Sequence, residues 1–460
     1  MNFPLISRRF ARSVCATFVS LTFVALAARS RGAEATARME EIVQRQVTAK
    51  QFTGAVLVAK RGATLFDRAY GPANREWDIA NTPATHFRIG SITKQFTAVA
   101  ILLLEERGKL KLTDPVSAHM SDAPAAWSKI TFHHLLTHTS GIPNVTNDPE
   151  FIVWKNSPTT VIQMVGRFRD LPLDFPAGTR HAYSNSNYLV LGLVVEKLAG
   201  GQRFGDFLRE HVLDPLGLKD SGFDSNQRIL PRRATGYERS GEEFFNASHS
   251  DMSVPHAAGA MYSTTHDLWR WAEAIFGDKL LTPASRAKLL TPEKENYALG
   301  VRVSVSYGRK MIDHGGSIAG FSSFLAHYPD DGVTVVVLSN LETRIAADLG
   351  RQLAAAAFGD VDDAKPARTA ITVPVATLET YVGIYELSLG MRNTIRLVDG
   401  ALTTQLTGQR PLQLFAESET KFFLKVVDAQ VEFIRDESGR VTDLVMYQNG
   451  RSRKVPRVSD

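Results

Sequence analysis

The sequence has 460 residues, long enough for one large domain and a smaller companion. Hydrophobic residues make up 44% and charged residues 22%, the balance of a soluble globular protein, which excludes collagenous, disordered and disulfide-stapled classes. The formal charge of +5 equals the contribution of Arg8, Arg9, Arg12, Arg29 and Arg31, which lie in a stretch without acids. The rest of the chain is therefore near neutral, and the basicity implies no nucleic-acid partner.

Residues 1–33 run from these arginines through an apolar stretch, Val14 to Ala28, to small residues around Ala33-Glu34-Ala35. That order is expected of a cleavable signal peptide, hence of a periplasmic or extracellular protein. The apolar stretch is short for a membrane span, and no later one is longer. Ser7-Arg8-Arg9-Phe10 hints at twin-arginine export. The one cysteine, Cys15, lies in this segment, and the residues before it do not fit lipid modification, so no thiol chemistry is expected after cleavage.

Gly54 to Ala59, a turn at Lys60-Arg61-Gly62 and Thr64 to Phe66 predict a β-hairpin. Gln95 to Glu106, free of Gly and Pro and apolar almost all round, predicts a buried helix closed by Gly108. Punctuated helical segments are expected over roughly 110–290. Antiparallel strands are expected at Leu299 to Val305, Phe321 to Tyr328 and Val333 to Asn340, with a closing helix at Ala346 to Phe358. The expected division is a main domain over 34–360, a linker over 361–375 and an all-β domain over 376–460. In the last of these, short strands recur near Ile395, Ala401, Lys421, Gln430 and Asp443 at spacings that suit a small sandwich or barrel.

The candidate chemistry centres on Ser91-Ile92-Thr93-Lys94 at the start of the buried helix. Residues three apart share a helix face, and a serine hydroxyl becomes nucleophilic only when a nearby base takes its proton. A lysine in an apolar setting can be that base. Alone, the tetrapeptide equally fits a helix cap with a solvated lysine. Tyr183-Ser184-Asn185 precedes a second apolar helix, and its Tyr and Asn point the same way if the backbone is extended. The same residues also suit a turn in which Asn185 caps the helix. His314-Gly315-Gly316-Ser317 would let substrate approach the backbone or, equally, form a plain hairpin turn.

Ser91-x-x-Lys94, Tyr183-x-Asn185 and His314-x-Gly316, in this order, resemble the motifs of class C β-lactamases, D-amino-acid-specific peptidases and related esterases. Leu135 to Ile142 (LLTHTSGI) and Phe175-Pro176-Ala177-Gly178 are similar to supporting stretches of that family, and the likeness spans about residues 40–358. The resemblance implies an α+β fold: an antiparallel sheet flanked by helices beside an all-helical region, with the tail resembling an appended small β-barrel. It implies an acylated Ser91, with Lys94 and Tyr183 sharing proton transfer. Asn185 would orient the substrate amide, and His314 and Gly316 would line the site on the substrate's carboxylate side. The backbone amides of Ser91 and Ser317 would form the oxyanion hole. Neither cofactor nor metal is implied.

Class C β-lactamases usually carry lysine where this chain has His314, a departure that favours a D-amino-acid peptide or a small ester as substrate. Alternatives are a class C-like β-lactamase and a non-catalytic protein that binds peptidoglycan fragments. His134 and His138 have the spacing of a metal pair but lack further ligands, and packing or capping suits them better. No Gly-x-Ser-x-Gly stretch is present, which disfavours an α/β-hydrolase.

Overall fold

The computed structural model describes residues 32–359, 370–388, 391–407, 411–424, 429–448 and 451–459. The expected signal peptide lies, but for its last two residues, outside the described residues, as do residues 361–369 of the expected linker over 361–375. Two compact units divide between residues 361 and 362.

In the first unit, six antiparallel strands form one sheet. They are β1 (Gly54–Lys60), β2 (Ala63–Tyr70), β3 (Arg302–Ser306), β4 (Arg309–Ile318), β5 (Phe321–Tyr328) and β6 (Val333–Ser339), in the order β3-β4-β5-β6-β1-β2. The N-terminal hairpin joins the later strands through β1 and β6, in a register that pairs Gly54 with Ser339. Successive apolar side chains in β1 reflect burial on both faces. Ala55, Leu57 and Ala59 enter the larger core, whereas Val56 and Val58 enter a smaller one on the other face.

The smaller core is covered by helix α1 (residues 32–48) through Met39, Ile42 and Val43, and by α5 (Ile345–Phe358) through Leu349 and Leu353. The larger core packs α2 (Thr93–Glu106), α3 (Asn185–Leu198) and α4 (Thr265–Phe276) against the opposite face. Thr93 to Leu104 of α2 are all buried, as a helix apolar on every side requires. Phe96 stacks on Trp271 of α4 with ring centroids 3.8 Å apart. The region read as helical, 110–290, also holds a hairpin, Tyr237–Ser240 with Glu243–Asn246, and two short strands, Gly222–Phe223 and Met261–Ser263, that join Phe87–Arg88 in a three-stranded patch. Strands of two to four residues are too short to show a period-two pattern.

In the second unit, nine strands form one antiparallel sheet whose end strands, Leu412–Gln413 and Phe415–Ala416, are neighbours in sequence. The sheet therefore curls until its edges meet at Leu414, giving a nearly closed barrel. Side chains such as Tyr381, Tyr385, Phe422 and Phe433 fill its interior. The strand Arg451–Ser459 escaped the sequence reading because basic residues dominate it, and Val455 is its fully buried side chain. The expected α+β arrangement with a small β-barrel after it is thus present.

Candidate active site

Ser91 sits in a single 3-10 turn, Gly90–Ile92, that leads into α2. Its backbone N–H belongs to the first turn, where amides lack partners within the helix. Gly90 has φ +50°, and a Cβ there would lie 2.9 Å from the Ser317 amide nitrogen, so glycine lets the two segments meet. At Gly316 a Cβ would lie 2.0 Å from the Ile89 carbonyl oxygen, so the end of β4 can lie against the turn bearing Ser91. The amides of Ser91 and Ser317 are thereby brought to one place.

Lys94 is fully buried and makes three contacts. Its Nζ lies 2.8 Å from Asn185 Oδ1, 2.7 Å from the Ala258 carbonyl oxygen and 3.1 Å from Ser91 Oγ. Burial holds its pKa well below the usual lysine range, and no carboxylate among the described residues pairs with it. A neutral amine has two N–H groups and one lone pair. Two of its neighbours are oxygens that only accept, so the lone pair faces the one neighbour able to donate, the Ser91 hydroxyl. Neither alternative from the sequence survives: Lys94 is not solvated, and helix α3 takes Ser184, not Asn185, at its cap position.

Burial pushes the Tyr183 phenol above the ordinary range, so it stays protonated, and the neighbouring Ser91 hydroxyl offsets this only in part. Its ring lies 4.8 Å from Lys94 Nζ. His314 is also buried and differs from expectation. Its Nδ1 lies 2.6 Å from the Gly315 carbonyl oxygen, an acceptor only, so that nitrogen carries the proton. Nε2, 3.0 Å from the Tyr297 hydroxyl, must then accept. Burial lowers its pKa to about 3. His314, expected to line the site on the substrate's carboxylate side, is therefore uncharged, with both ring nitrogens engaged. An exposed cation, Arg302 at the start of β3, lies close enough for its field to reach Tyr183, Tyr297 and His314.

A cavity of about 520 Å³ opens beside Ser91, Asn185 and Ser317. Val145, Phe151, Met164 and Leu189 form an apolar wall, and two acids, Glu238 and Glu342, and two bases, Lys155 and Arg239, line the same space. Among the described residues no group of three or more His, Cys, Asp or Glu side chains could hold a metal ion. His134 instead completes a capping box with Thr131, and His138 is packed in the interior.

A family profile described as Beta-lactamase matches residues 39–358. The chain belongs to the β-lactamase family. This family member is a serine hydrolase. It is 28% identical over 439 residues to Penicillin-binding protein 4* of Bacillus subtilis (strain 168), covering 88% of this chain and 95% of that protein. The structure of a penicillin binding protein from Bacillus halodurans superposes with a TM-score of 0.62 at 28% identity, over 70% of this chain and 98% of that one. A D-stereospecific amidohydrolase from Streptomyces sp. gives a TM-score of 0.55 at 26% identity, over 66% and 93%. Residues 367–455 match a second profile, described as a domain of unknown function.

Three parts of this hydrolase's site were not legible in the sequence. The Ala258 carbonyl that holds Lys94 is backbone and carries no residue signal. Tyr297 and Arg302 stand outside any motif. No helix among the described residues is long and apolar enough to cross a membrane.

Proposed function

We propose that the protein is an exported hydrolase that cleaves an amide or ester through an acyl-enzyme on Ser91. One observation carries this reading: a buried Lys94 whose two N–H groups have acceptors and whose lone pair faces the Ser91 hydroxyl at 3.1 Å. Lys94 takes the hydroxyl proton as Oγ bonds to the substrate carbonyl carbon. The displaced π electrons collect on the carbonyl oxygen, held by the amides of Ser91 and Ser317. When that oxygen re-forms its double bond, the bond to the leaving group breaks, and a departing amine nitrogen or alkoxide oxygen takes the Tyr183 phenolic proton. Lys94 passes its proton to the tyrosinate beside it, which resets both groups. Water then attacks the ester carbonyl carbon and gives a proton to Lys94; as the carbonyl re-forms, the bond to Ser91 Oγ breaks, Oγ takes that proton, and the acid leaves. A depressed lysine and a raised phenol separate base from acid, as such pairs do in other enzymes.

A D-amino-acid peptide or amide is the favoured substrate class. The apolar wall of the cavity suits a side chain, and a relative is named a D-stereospecific amidohydrolase. β-Lactam hydrolysis is the second reading, supported by relatives named penicillin-binding proteins. Incubation with a penicillin or a fluorophosphonate should add one probe mass to the intact protein, and Ser91→Ala should abolish both the adduct and turnover. Labelling that persists in Ser91→Ala overturns the reading. A panel of nitrocefin, D-amino-acid amides, D-alanyl-D-alanine peptides and p-nitrophenyl butyrate separates the substrate classes.

A further inference from the structure

His138 is fully buried, and none of the chemistry above uses it. Its hydrogen bonds nevertheless bracket Tyr183 on both sides. The Ala182 N–H donates to the His138 carbonyl oxygen at 2.9 Å, and the Ser184 N–H donates to His138 Nδ1 at 3.2 Å. Between those two anchors, the Tyr183 ring packs on the imidazole with centroids 4.3 Å apart.

The proton placement on His138 is fixed by Asn187 in the first turn of α3. The Ser140 hydroxyl lies 2.6 Å from Asn187 Oδ1, so the amide NH₂ of Asn187 faces the imidazole, with Nδ2 3.3 Å from His138 Nδ1. Nδ1 thus meets two donors and must be the bare nitrogen, leaving the proton on Nε2. That Nε2 has no hydrogen-bond partner among the described residues, and the imidazole lies among the rings of Tyr183, Tyr188 and Tyr297. The backbone of His138 has φ +57°, a left-handed conformation that costs a non-glycine residue about 1 kcal/mol. A residue kept there despite that cost is kept for its side chain.

We infer that His138 is the positioning residue for Tyr183: it fixes the peptide on either side of the tyrosine and backs its ring, so that the phenol stays on Ser91. This rests on the proposed acyl-transfer reading, in which Tyr183 protonates the leaving group. His138 itself touches no reacting atom.

That division of labour gives a readout which a general loss of structure would not. An amine leaving group needs the Tyr183 proton, whereas p-nitrophenolate departs without one. His138→Ala should therefore lower kcat/KM for a D-amino-acid amide by roughly a hundredfold, the scale of an ångström-level misplacement. It should lower kcat/KM for p-nitrophenyl butyrate by less than about threefold, and Tyr183→Phe should likewise lose more amide than ester turnover. In a Tyr183→Phe background the His138 change should add nothing further. His138→Asn, whose Oδ1 can accept near the Nδ1 position, should recover amide turnover to within about fivefold of wild type. Should His138→Ala not fold, His138→Met keeps the volume without the acceptor and takes its place in every comparison.

Equal losses on amide and ester, or additive losses in the double variant, overturn the inference. Failure of the underlying reading looks different, because Ser91→Ala would remain active or Tyr183→Phe would hydrolyse amides normally.

Discussion

At the Lys94 position an ammonium would be stripped of water with no carboxylate to replace it, a cost of several kcal/mol even after relaxation. The neutral form avoids that cost, so the folded-state pKa lies well below that of an unfolded lysine. Between the two values the unfolded chain binds a proton that the native chain does not, and stability rises with pH. This contribution is complete above the unfolded pKa and is lost as pH falls through the folded one. Lys94→Met should flatten that slope in denaturant titrations across neutral to alkaline pH, and should reduce kcat/KM by about a thousandfold or more. A wild-type kcat/KM that begins to rise only in the ordinary lysine range would contradict the assignment of the base. Ser91 and Lys94 were legible because the chemistry needs both on one helical turn. The state of His314 was not, because it depends on Tyr297, seventeen residues away and outside every motif.

The elements that carry the site meet where side chains are missing. Strand β4 reaches the turn before α2 only because Gly316 and Gly90 leave room, and the obstacles to a Cβ at Gly316 are the Ile89 carbonyl oxygen at 2.0 Å and Ser323 Oγ at 2.4 Å. Ser323 in turn donates to that same carbonyl at 2.8 Å, so neither obstacle is free to move aside. Gly316→Ala should therefore push β4 from the turn, cost about 1–3 kcal/mol of stability, and lower kcat by about tenfold or more through the Ser317 amide. Thermal melting and steady-state kinetics on one preparation check both effects, and a variant with wild-type values for each would rule out the close approach. Long patterned elements such as β1, α2, β5 and β6 could be read from their residues, since apolar runs and turn residues specify them locally. The hairpin over Tyr237–Ser240 and Glu243–Asn246 could not, because distant backbone hold it: the Tyr237 N–H donates to the Asn340 carbonyl oxygen, and the Glu342 N–H to that of Tyr237. That tertiary tie also brings the segments of Glu238 and Glu342 to the lining of one cavity, a juxtaposition no local pattern contains.

Each of the two units has its own apolar interior, and every residue assigned to catalysis above belongs to the first. The barrel's core is aromatic: Tyr381 stacks on Phe433 with centroids 4.2 Å apart and planes at 12°, and Phe422 meets the edge of Phe433 at 5.6 Å. Phe433 is almost fully buried, so Phe433→Ala removes the centre of that stack and should cost the second unit about 3–5 kcal/mol. Separate cores fold as separate cooperative systems unless coupled strongly, so calorimetry of the full chain should show two transitions. Only one of them should move to lower temperature in Phe433→Ala. Below that shifted transition, kcat/KM of the variant should equal that of the wild type, because none of Ser91, Lys94, Tyr183 or the Ser317 amide draws on the barrel's interior. A single transition that shifts as a whole would mean that the units unfold together. A fall in activity at temperatures where both units are folded would give the barrel a part in catalysis that the geometry around Ser91 does not require.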